Sequence, residues 1–167
     1  MYKLFVNGRY VGRGPNPADP SYYYYDVYDV GDYLQPGENV LAVTAYNYGP
    51  NNDSITHQNY GLGGVLLELR DKPGGKLLAA TDDTWKIIKA PEYDQDTELN
   101  NTLFGDYKEI CDTRRIPTGW KEAGFNDAAW ERPKLLGKPP AGPYTRLVER
   151  EIPPLGGPRH APEHVYW

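Results

Sequence analysis

Two stretches decide the fold of this chain: YKLFVNGRYVGRGP, residues 2–15, and YDVYDVGDYLQPGENVLAVTAYNYG, residues 25–49. Each predicts a strand, a glycine turn and a second strand. Asn7-Gly8 predicts a tight type I′ hairpin turn, because both central residues of that turn need a positive φ. Pro36-Gly37 predicts the second turn, because proline presets φ and glycine tolerates a positive φ. The chain is therefore expected to open with paired β-strands.

Short β-branched and aromatic runs separated by turn residues continue along the chain. Strands are predicted at residues 2–6, 9–11, 23–28, 40–48, 64–70, 76–80, 85–90 and 147–152. Single helical turns are predicted at residues 30–34 and 126–130, the second with Asn126 or Asp127 as its N-cap. The even spacing of strands predicts an all-β fold, a sandwich or a jelly roll. We assign a β-sandwich domain to residues 1–152 and a tail or linker, rich in proline and glycine, to residues 153–167.

Composition limits the classes of function. The chain has 167 residues, 39% of them hydrophobic, which is enough for one domain with a core. A net charge of −5 argues against nucleic acid as a partner, because nucleic-acid binders present a basic face. No apolar run is long enough for a membrane span, and no signal-peptide pattern follows Met1. The single cysteine excludes an internal disulfide and a cysteine-based zinc site.

Aromatic residues are the outlier of the composition, with 15 Tyr against 3 Phe. Tyrosine combines an apolar face with a polar tip, which suits a half-wet recognition surface, although tyrosines also simply line strands. Strand alternation places Tyr22 and Tyr24 on one face and Tyr23 and Tyr25 on the other. We expect one of these pairs to lie in the core and the other to be exposed.

The tryptophans are expected to pack rather than to bind. Trp85 lies in a predicted strand and is assigned to the core. Trp120 and Trp130 bracket a segment that is otherwise short of hydrophobic residues. We therefore expect them to pack residues 119–133 against the sandwich.

Several motifs, in this order, resemble one known family. They are VNGRYVGRGP, Asp19-Pro20, YYDVYDVGDYLQPGENVLAV, an acidic-aromatic stretch ending in Gly-Trp at residues 107–120, FNDAAW at residues 125–130, and RLVEREIPPL at residues 146–155. Together they resemble the non-catalytic β-sandwich domain near the N-terminus of bacterial α-L-rhamnosidases of glycoside hydrolase family 78. The looser strand-and-turn pattern also occurs in the sugar-binding domain of β-galactosidase-type enzymes.

The resemblance implies a galactose-binding-domain-like jelly-roll β-sandwich, without the one or two strands that such domains carry before the V-N-G hairpin. It implies a non-catalytic carbohydrate-binding or accessory module of an α-L-rhamnosidase-like glycoside hydrolase acting on rhamnose-containing glycans. The expected partners are an L-rhamnose-containing glycan and the catalytic and other domains of the parent enzyme. A purely structural interdomain spacer without a ligand is the main alternative, and a hydrolase in its own right is a third. The chain is expected to be a fragment of such an enzyme or a stand-alone module, bacterial, and either extracellular or cytoplasmic.

Two regions are candidate sugar-binding sites, because sugars need aromatic faces for their C–H surface and amide or carboxylate groups for their hydroxyls. One is the polar, aromatic loop at residues 46–60, and the other is the tyrosine-rich stretch at residues 14–25 with the arginine before it. The candidate ligand-binding residues are Tyr46, Asn47, Tyr48, Asn52, Asp53, His57, Asn59, Tyr60, Tyr24 and Arg13. The competing interpretations are a solvated connection for the loop and interdomain packing for the tyrosines.

No catalytic residues are predicted. Glycoside hydrolysis needs two carboxylates that flank the scissile bond. Asp26 and Asp29, on a predicted strand, would point to opposite faces, and Asp82-Asp83 lies in a turn. Calcium is the one candidate cofactor, because Asn51 and Asp53 offer oxygen ligands within one loop.

Overall fold

The structure, a computed structural model, describes residues 1–18, 21–47, 63–98, 108–141 and 144–153. The strands in these residues are β1 (Tyr2–Val6), β2 (Arg9–Gly14), β3 (Tyr23–Tyr25), β4 (Leu41–Ala45), β5 (Glu68–Arg70), β6 (Leu77–Ala80) and β7 (Leu147–Glu149). Two 3₁₀ helices, Gly31–Tyr33 and Thr113–Arg115, accompany them, and the second was not predicted. The described chain is rich in strands and almost without helix, which confirms the all-β class.

The largest sheet joins the two opening stretches of the sequence. It has three antiparallel strands in the order β2–β1–β4, and a bulge in the β1–β2 pairing follows Leu4. Leu4 lies opposite Gly12 on one side and Val43 on the other. Elsewhere β3 pairs in parallel with β7, and β5 pairs with β6 in an antiparallel hairpin. Complete jelly-roll connectivity and the absence of opening strands stay predictions.

Both predicted turns have the backbone that their residues demand. Asn7 and Gly8 have φ values of 49° and 77°, so the first hairpin turn has the two positive φ angles of type I′. Gly37 has a φ of 88°, which glycine adopts without a steric penalty. The turn predictions are confirmed.

The side chain of Asn7 joins these two turns. Its Nδ2 donates to the carbonyl of Tyr33 at 2.9 Å and to Oδ1 of Asn39 at 2.8 Å, while its Oδ1 accepts from the backbone nitrogen of Val40 at 2.8 Å. Asn39 then closes the second turn, because its Oδ1 also accepts from the backbone nitrogen of Gln35 at 2.9 Å. The two turns therefore form one hydrogen-bonded unit at one end of the sheet.

The apolar core of the described residues is small. Val6 is fully buried, and Leu4, Ala18 and Ala42 are 8%, 4% and 6% exposed. Burial of a valine or leucine side chain contributes about 1.5–3 kcal/mol, so these residues alone supply little stability. Polar contacts and aromatic packing must carry a large share of it.

Aromatic rings pack on the face of β1 opposite to Leu4 and Val6. The ring of Trp120 lies 6.1 Å from that of Phe5 and 6.2 Å from that of Trp130. These contacts confirm that Trp120 and Trp130 pack their segment against the sheet.

Several predicted strand ends are wrong. The predicted strands at residues 23–28, 40–48, 64–70, 76–80 and 147–152 are all shorter in the structure, whereas the one at residues 9–11 continues to residue 14. β3 stops at Tyr25 because the next residue, Asp26, turns its carboxylate inward to an ion pair with Arg150. Tertiary contacts, rather than local strand propensity, set these ends.

The predicted strand at residues 85–90 is not formed, apart from one isolated bridge between Ile87 and Glu131. The indole nitrogen of Trp85 donates to the carbonyl of Ala80 at 2.9 Å, which folds this segment back against the end of β6. Trp85 is half-buried rather than in the core as predicted.

The two predicted helical turns have different outcomes. Residues 30–34 contain the 3₁₀ helix Gly31–Tyr33, which confirms the first. Residues 126–130 form a turn but no helix, although the Oδ1 of Asn126 accepts from the backbone nitrogen of Ala128 at 3.1 Å, as a capping residue does.

Replacing Asn7 tests the link between the two turns. We expect Asn7→Ala to lower the free energy of unfolding by about 1–3 kcal/mol, because it removes the hydrogen bonds that join the turns and leaves a non-glycine residue at positive φ. Urea denaturation measures the change. The matched control is Asn126→Ala, which removes one exposed local bond and should cost about 0.5–1 kcal/mol. Equal losses in the two variants would contradict a special role for Asn7.

Candidate functional site

A buried ion pair lies where β3 and β7 end. These strands run parallel with Tyr25 opposite Glu149, and the backbone nitrogen of Arg150 donates to the carbonyl of Tyr25 at 3.0 Å. The residues that follow the paired positions, Asp26 and Arg150, therefore meet side by side. Their side chains form an ion pair and are only 3% and 11% exposed, which makes it the most buried ion pair of the described residues.

Two tyrosine hydroxyls complete this arrangement. The hydroxyl of Tyr2 donates to Oδ2 of Asp26 and lies 3.3 Å from the hydroxyl of Tyr28, which donates to the carbonyl of Arg13 at 3.2 Å. Burial, reinforced by the hydrogen bond to Asp26, raises the pKa of Tyr2, so this hydroxyl stays protonated and remains a donor. We call Tyr2, Asp26, Tyr28 and Arg150 the Asp26–Arg150 cluster.

Two glycines of β2 make room for the cluster. A Cβ atom on Gly12 would overlap the ring of Tyr28, and one on Gly14 would overlap the carboxylate of Asp26 and lie 2.8 Å from Nη2 of Arg150. The two glycines are two residues apart and so share one face of the strand. Gly12-Arg13-Gly14 lies beyond the predicted strand at residues 9–11 but belongs to β2, and it is where the cluster approaches the backbone of this strand.

The cluster fixes the end of β7 to the opening hairpin. Nη2 of Arg150 donates to the carbonyl of Arg13 at 2.9 Å, while Tyr2 contributes from β1. Hydrogen bonds with a charged partner are stronger than neutral ones. Residues from both ends of the described chain are thus held by one set of polar contacts.

Both carboxylate oxygens of Asp26 are engaged, Oδ1 by Arg150 and Oδ2 by Tyr2. An acid or base catalyst needs a carboxylate that reaches its substrate, and this carboxylate instead has a structural role. The expectation that Asp26 and Asp29 lie on one strand is wrong, because β3 ends at Tyr25, before both residues. The Oδ1 of Asp29 accepts from the backbone nitrogen of Gly31 at 2.9 Å.

The tyrosines of β3 follow the predicted alternation. The rings of Tyr22 and Tyr24 lie 5.3 Å apart on one side, and Tyr23 packs against Tyr144 at 5.3 Å. The expectation that one pair lies in the core is wrong, because Tyr22, Tyr23 and Tyr24 are half-buried and Tyr25 is 41% exposed. The physical reason is that β3 has one strand partner within the described ranges, the short β7.

A second cluster joins Asn47, from the predicted sugar-binding loop at residues 46–60, to the glycines that follow this loop in the sequence. A Cβ atom on Gly63 would lie 2.7 Å from Nδ2 of Asn47, and one on Gly64 would lie 2.9 Å from the hydroxyl of Tyr144. Burial, with a smaller contribution from Tyr23, raises the pKa of Tyr144, so its hydroxyl is neutral and can donate. We call Asn47, Gly63, Gly64, Tyr144 and Tyr23 the loop base.

Four of the predicted ligand-binding residues are described, and the structure does not gather them into one site. Asn47 lies in the loop base. Tyr46 is 41% exposed, and its carbonyl accepts from the amino terminus at 2.7 Å. Tyr24 is half-buried on β3, and Arg13 is exposed on β2 and gives its backbone carbonyl to the Asp26–Arg150 cluster.

The remaining predicted site residues lie outside the described residues: Tyr48, Asn51, Asn52, Asp53, His57, Asn59 and Tyr60. Binding of calcium by Asn51 and Asp53 therefore stays a prediction. Across the described ranges, no group of three or more His, Cys, Asp and Glu side chains is placed to hold a metal ion. A search of the same ranges finds no helix with the length and hydrophobicity of a membrane span.

The sequence did not indicate Tyr144 as a site residue. It follows a proline- and glycine-rich segment with no strand pattern around it. The available signal was Gly63-Gly64, because adjacent glycines often mark a close approach of other groups to the backbone. The glycine pair indicates that another group packs against the backbone there, but it does not indicate that this group is Tyr144.

These features define a strand-rich domain that is closed by a buried ion pair and carries Tyr23 and Tyr144 at the loop base. The chain matches the family model of the alpha-L-rhamnosidase N-terminal domain over residues 1–155. It belongs to this family.

Known proteins support the same assignment. The chain is similar to the alpha-L-rhamnosidase of Formosa agariphila, with 32% identity over 143 residues that cover 77% of this chain and 14% of that protein. It is 30% identical over 141 residues to the alpha-L-rhamnosidase of Streptomyces avermitilis, covering 78% of this chain and 13% of that protein. Its fold matches the GH78 family rhamnosidase of Bacillus sp. GL1 with a TM-score of 0.78 and 33% identity, over 91% of this chain and 15% of that one. The chain thus spans a small part of the length of its relatives.

Alanine at Gly12 or Gly14 tests the close approach of the cluster to β2. We expect each substitution to lower the free energy of unfolding by about 1–3 kcal/mol, because the added methyl group overlaps Tyr28 or Asp26. Thermal and urea denaturation measure the loss. Gly31→Ala is the matched control, since its Cβ atom would meet nothing closer than Oδ1 of Asp29 at 3.3 Å. A loss at Gly31 as large as at the other two glycines would count against the steric explanation.

Neutralising Asp26 tests the ion pair itself. We expect Asp26→Asn to lower the free energy of unfolding by about 3–5 kcal/mol, because Arg150 is left buried without its counter-charge. The control is Asp94→Asn, whose partner Arg115 lies at 3.0 Å with both side chains more than two-fifths exposed, at 44% and 46%. That surface pair should contribute no more than about 1 kcal/mol. Comparable losses would show that burial of the Asp26 pair has no special weight.

Proposed function

We propose that the chain is a non-catalytic carbohydrate-binding module of an α-L-rhamnosidase-like glycoside hydrolase that acts on rhamnose-containing glycans. The observation that carries this proposal is the loop base. There the amide of Asn47 and the hydroxyl of Tyr144 approach two adjacent glycines, at the point where residues 48–62 begin and end.

The groups at the loop base suit a sugar. The side-chain amide of asparagine donates hydrogen bonds through its NH₂ group and accepts them through its oxygen. A neutral tyrosine hydroxyl also donates and accepts. Both groups can therefore bind the hydroxyl groups of a pyranose, which do the same. The rings of Tyr144 and Tyr23, in contact at 5.3 Å, provide apolar faces beside these polar groups. Residues 48–62 add Tyr48, Asn52, Asp53, His57, Asn59 and Tyr60 to the same stretch of chain.

The family supports the choice of ligand and partner. The relatives are named alpha-L-rhamnosidases, and the chain matches 13–14% of their length. In a longer enzyme, a module that binds the glycan weakly would gain avidity because tethering raises the effective concentration of the sugar at the catalytic domain.

A structural interdomain spacer is the second candidate, and one observation favours it. The described surface carries large apolar side chains that are 44–51% exposed, among them Leu77, Leu78, Ile87 and Ile88. Exposed apolar area of this kind often marks a contact with another domain when the residues form a patch. The two functions are compatible, because the loop base and these side chains are different parts of the chain.

Calorimetric titration with methyl α-L-rhamnoside tests the binding function on the full 167-residue chain. We expect a measurable heat that is lost in Tyr48→Ala and in His57→Ala. Tyr144→Phe should weaken binding about three- to tenfold, because one hydrogen bond is removed while the ring is kept.

The matched control is Tyr10→Phe, which removes a hydroxyl from a 40% exposed tyrosine of β2 that packs on Phe5. This variant should bind the rhamnoside with unchanged affinity. No heat with the rhamnoside or with a broad set of glycans would contradict a binding module and leave the spacer.

A further inference from the structure

A cleft of about 260 Å³ lies beside the ends of β3 and β7, and its described lining includes neither Tyr46 nor Asn47. Its walls are formed by residues that follow the two strands, and the ion pair of Asp26 and Arg150 belongs to its lining. We call it the β3–β7 cleft and define it by those two residues with Val27, Glu149, Glu151 and Ile152. Its volume is below the range of about 300–1,000 Å³ that holds drug-sized ligands, which suits a single sugar ring.

The charges of the cleft leave two acceptors for a ligand. Arg150 is committed to Asp26 and to the carbonyl of Arg13, so the charged pair is internally balanced. Glu149 and Glu151 are exposed, and no ion pair within the described ranges uses either of them. From the described part of the chain, Glu149 receives one hydrogen bond, a long one of 3.4 Å from the hydroxyl of Tyr25. Both carboxylates can therefore accept hydrogen bonds from hydroxyl groups.

The same cleft has an apolar side. Val27 is 61% exposed and Ile152 is 67% exposed, the largest values among the exposed hydrophobic side chains of the described residues. Both residues line the same cavity as the two glutamates. A ligand that buries a methyl group here removes apolar surface of both partners from water, which is favourable.

One tyrosine of β3 reaches the acidic side of the cleft. The hydroxyl of Tyr25 donates to Oε2 of Glu149 at 3.4 Å. Tyr24, the predicted ligand-binding residue before it on the strand, is half-buried and does not belong to the lining of the cleft. Tyrosine beside carboxylate and apolar groups is a combination that suits polyhydroxylated ligands.

We propose that the β3–β7 cleft is a second carbohydrate site that binds one 6-deoxyhexose unit of the L-rhamnose type. The ring hydroxyls donate to Glu149 and Glu151, and the C6 methyl group packs against Val27 and Ile152. This inference rests on the proposed function for the identity of the sugar, but it uses none of the residues of the loop base.

The C6 position gives the site a selectivity that can be measured. L-Mannose differs from L-rhamnose by a hydroxyl at C6, and this hydroxyl would lie against the methyl groups of Val27 and Ile152. An apolar surface rejects an added hydroxyl by up to about a hundredfold, and less in an open cleft. We expect methyl α-L-rhamnoside to bind about five- to tenfold more tightly than methyl α-L-mannoside.

Amide chemical shifts of the full chain, titrated with each glycoside in turn, test the proposal. Residues 149–152 should shift with methyl α-L-rhamnoside and less with the mannoside. Glu149→Gln combined with Glu151→Gln should weaken this response at least tenfold, and Ile152→Ser should reduce the preference for the rhamnoside. Glu109→Gln, an exposed glutamate elsewhere, is the matched control and should change neither.

The outcomes separate this inference from the proposed function. Shifts confined to residues 46–63 would overturn the second site and leave the loop as the binding site, whereas no shift anywhere would overturn both. Shifts at residues 149–152 that survive the glutamine substitutions would also overturn it. Chemical-shift changes at residues 149–152 with a lysine-rich peptide, lost at high salt, would overturn the second site as well. That result would identify a site for cations rather than for sugars.

Discussion

The ion pair between Asp26 and Arg150 is the contact on which the rest of the structure depends. Burying two charges costs several kcal/mol for each ion, and the mutual attraction offsets this only when further hydrogen bonds satisfy both groups. Tyr2 and the carbonyl of Arg13 supply those bonds. Because the described residues form only a small apolar core, this polar contact is the main one that holds β7 to the first hairpin within the described ranges.

Local features of the sequence predicted those parts of the fold that local chemistry controls. Asn7-Gly8 and Gly37 have positive φ angles because few other residues tolerate them, so both turns could be placed from the sequence. The end of β3 could not be placed, since it depends on Arg150 at the other end of the described chain. Trp85 was assigned to the core because its segment has the pattern of a strand. In the structure its indole nitrogen donates to the carbonyl of Ala80, and the predicted strand at residues 85–90 is not formed. Strand propensity depends on the residues of one segment, whereas the end of β3 depends on a residue that is distant in the sequence.

The candidate sites also combine features that the sequence indicates with features that only the folded chain shows. The resemblance of several ordered motifs identified the family, which the family model over residues 1–155 confirms. Asn47 was predicted as a ligand-binding residue because it lies in a stretch rich in amides and aromatic residues, and this role stays a prediction. Tyr144 and Glu149 were not among the predicted site residues, because only the folded chain brings Tyr144 against Gly64 and Glu149 opposite Tyr25. Motif order thus identifies the family, while the arrangement of groups at the two proposed sites depends on the folded chain.

Native-state hydrogen exchange in increasing urea tests most directly whether the ion pair unites the ends of the domain. The amides of Tyr23 and Arg150, which bond to Arg146 and Tyr25 at 2.9 and 3.0 Å, report on the β3–β7 pair. If the cluster fixes this pair to the opening sheet, both amides will exchange with the same opening free energy and urea dependence as the amides of β1, in one cooperative unit. Exchange of Tyr23 and Arg150 through a small local opening, while β1 remains protected, would contradict that dependence.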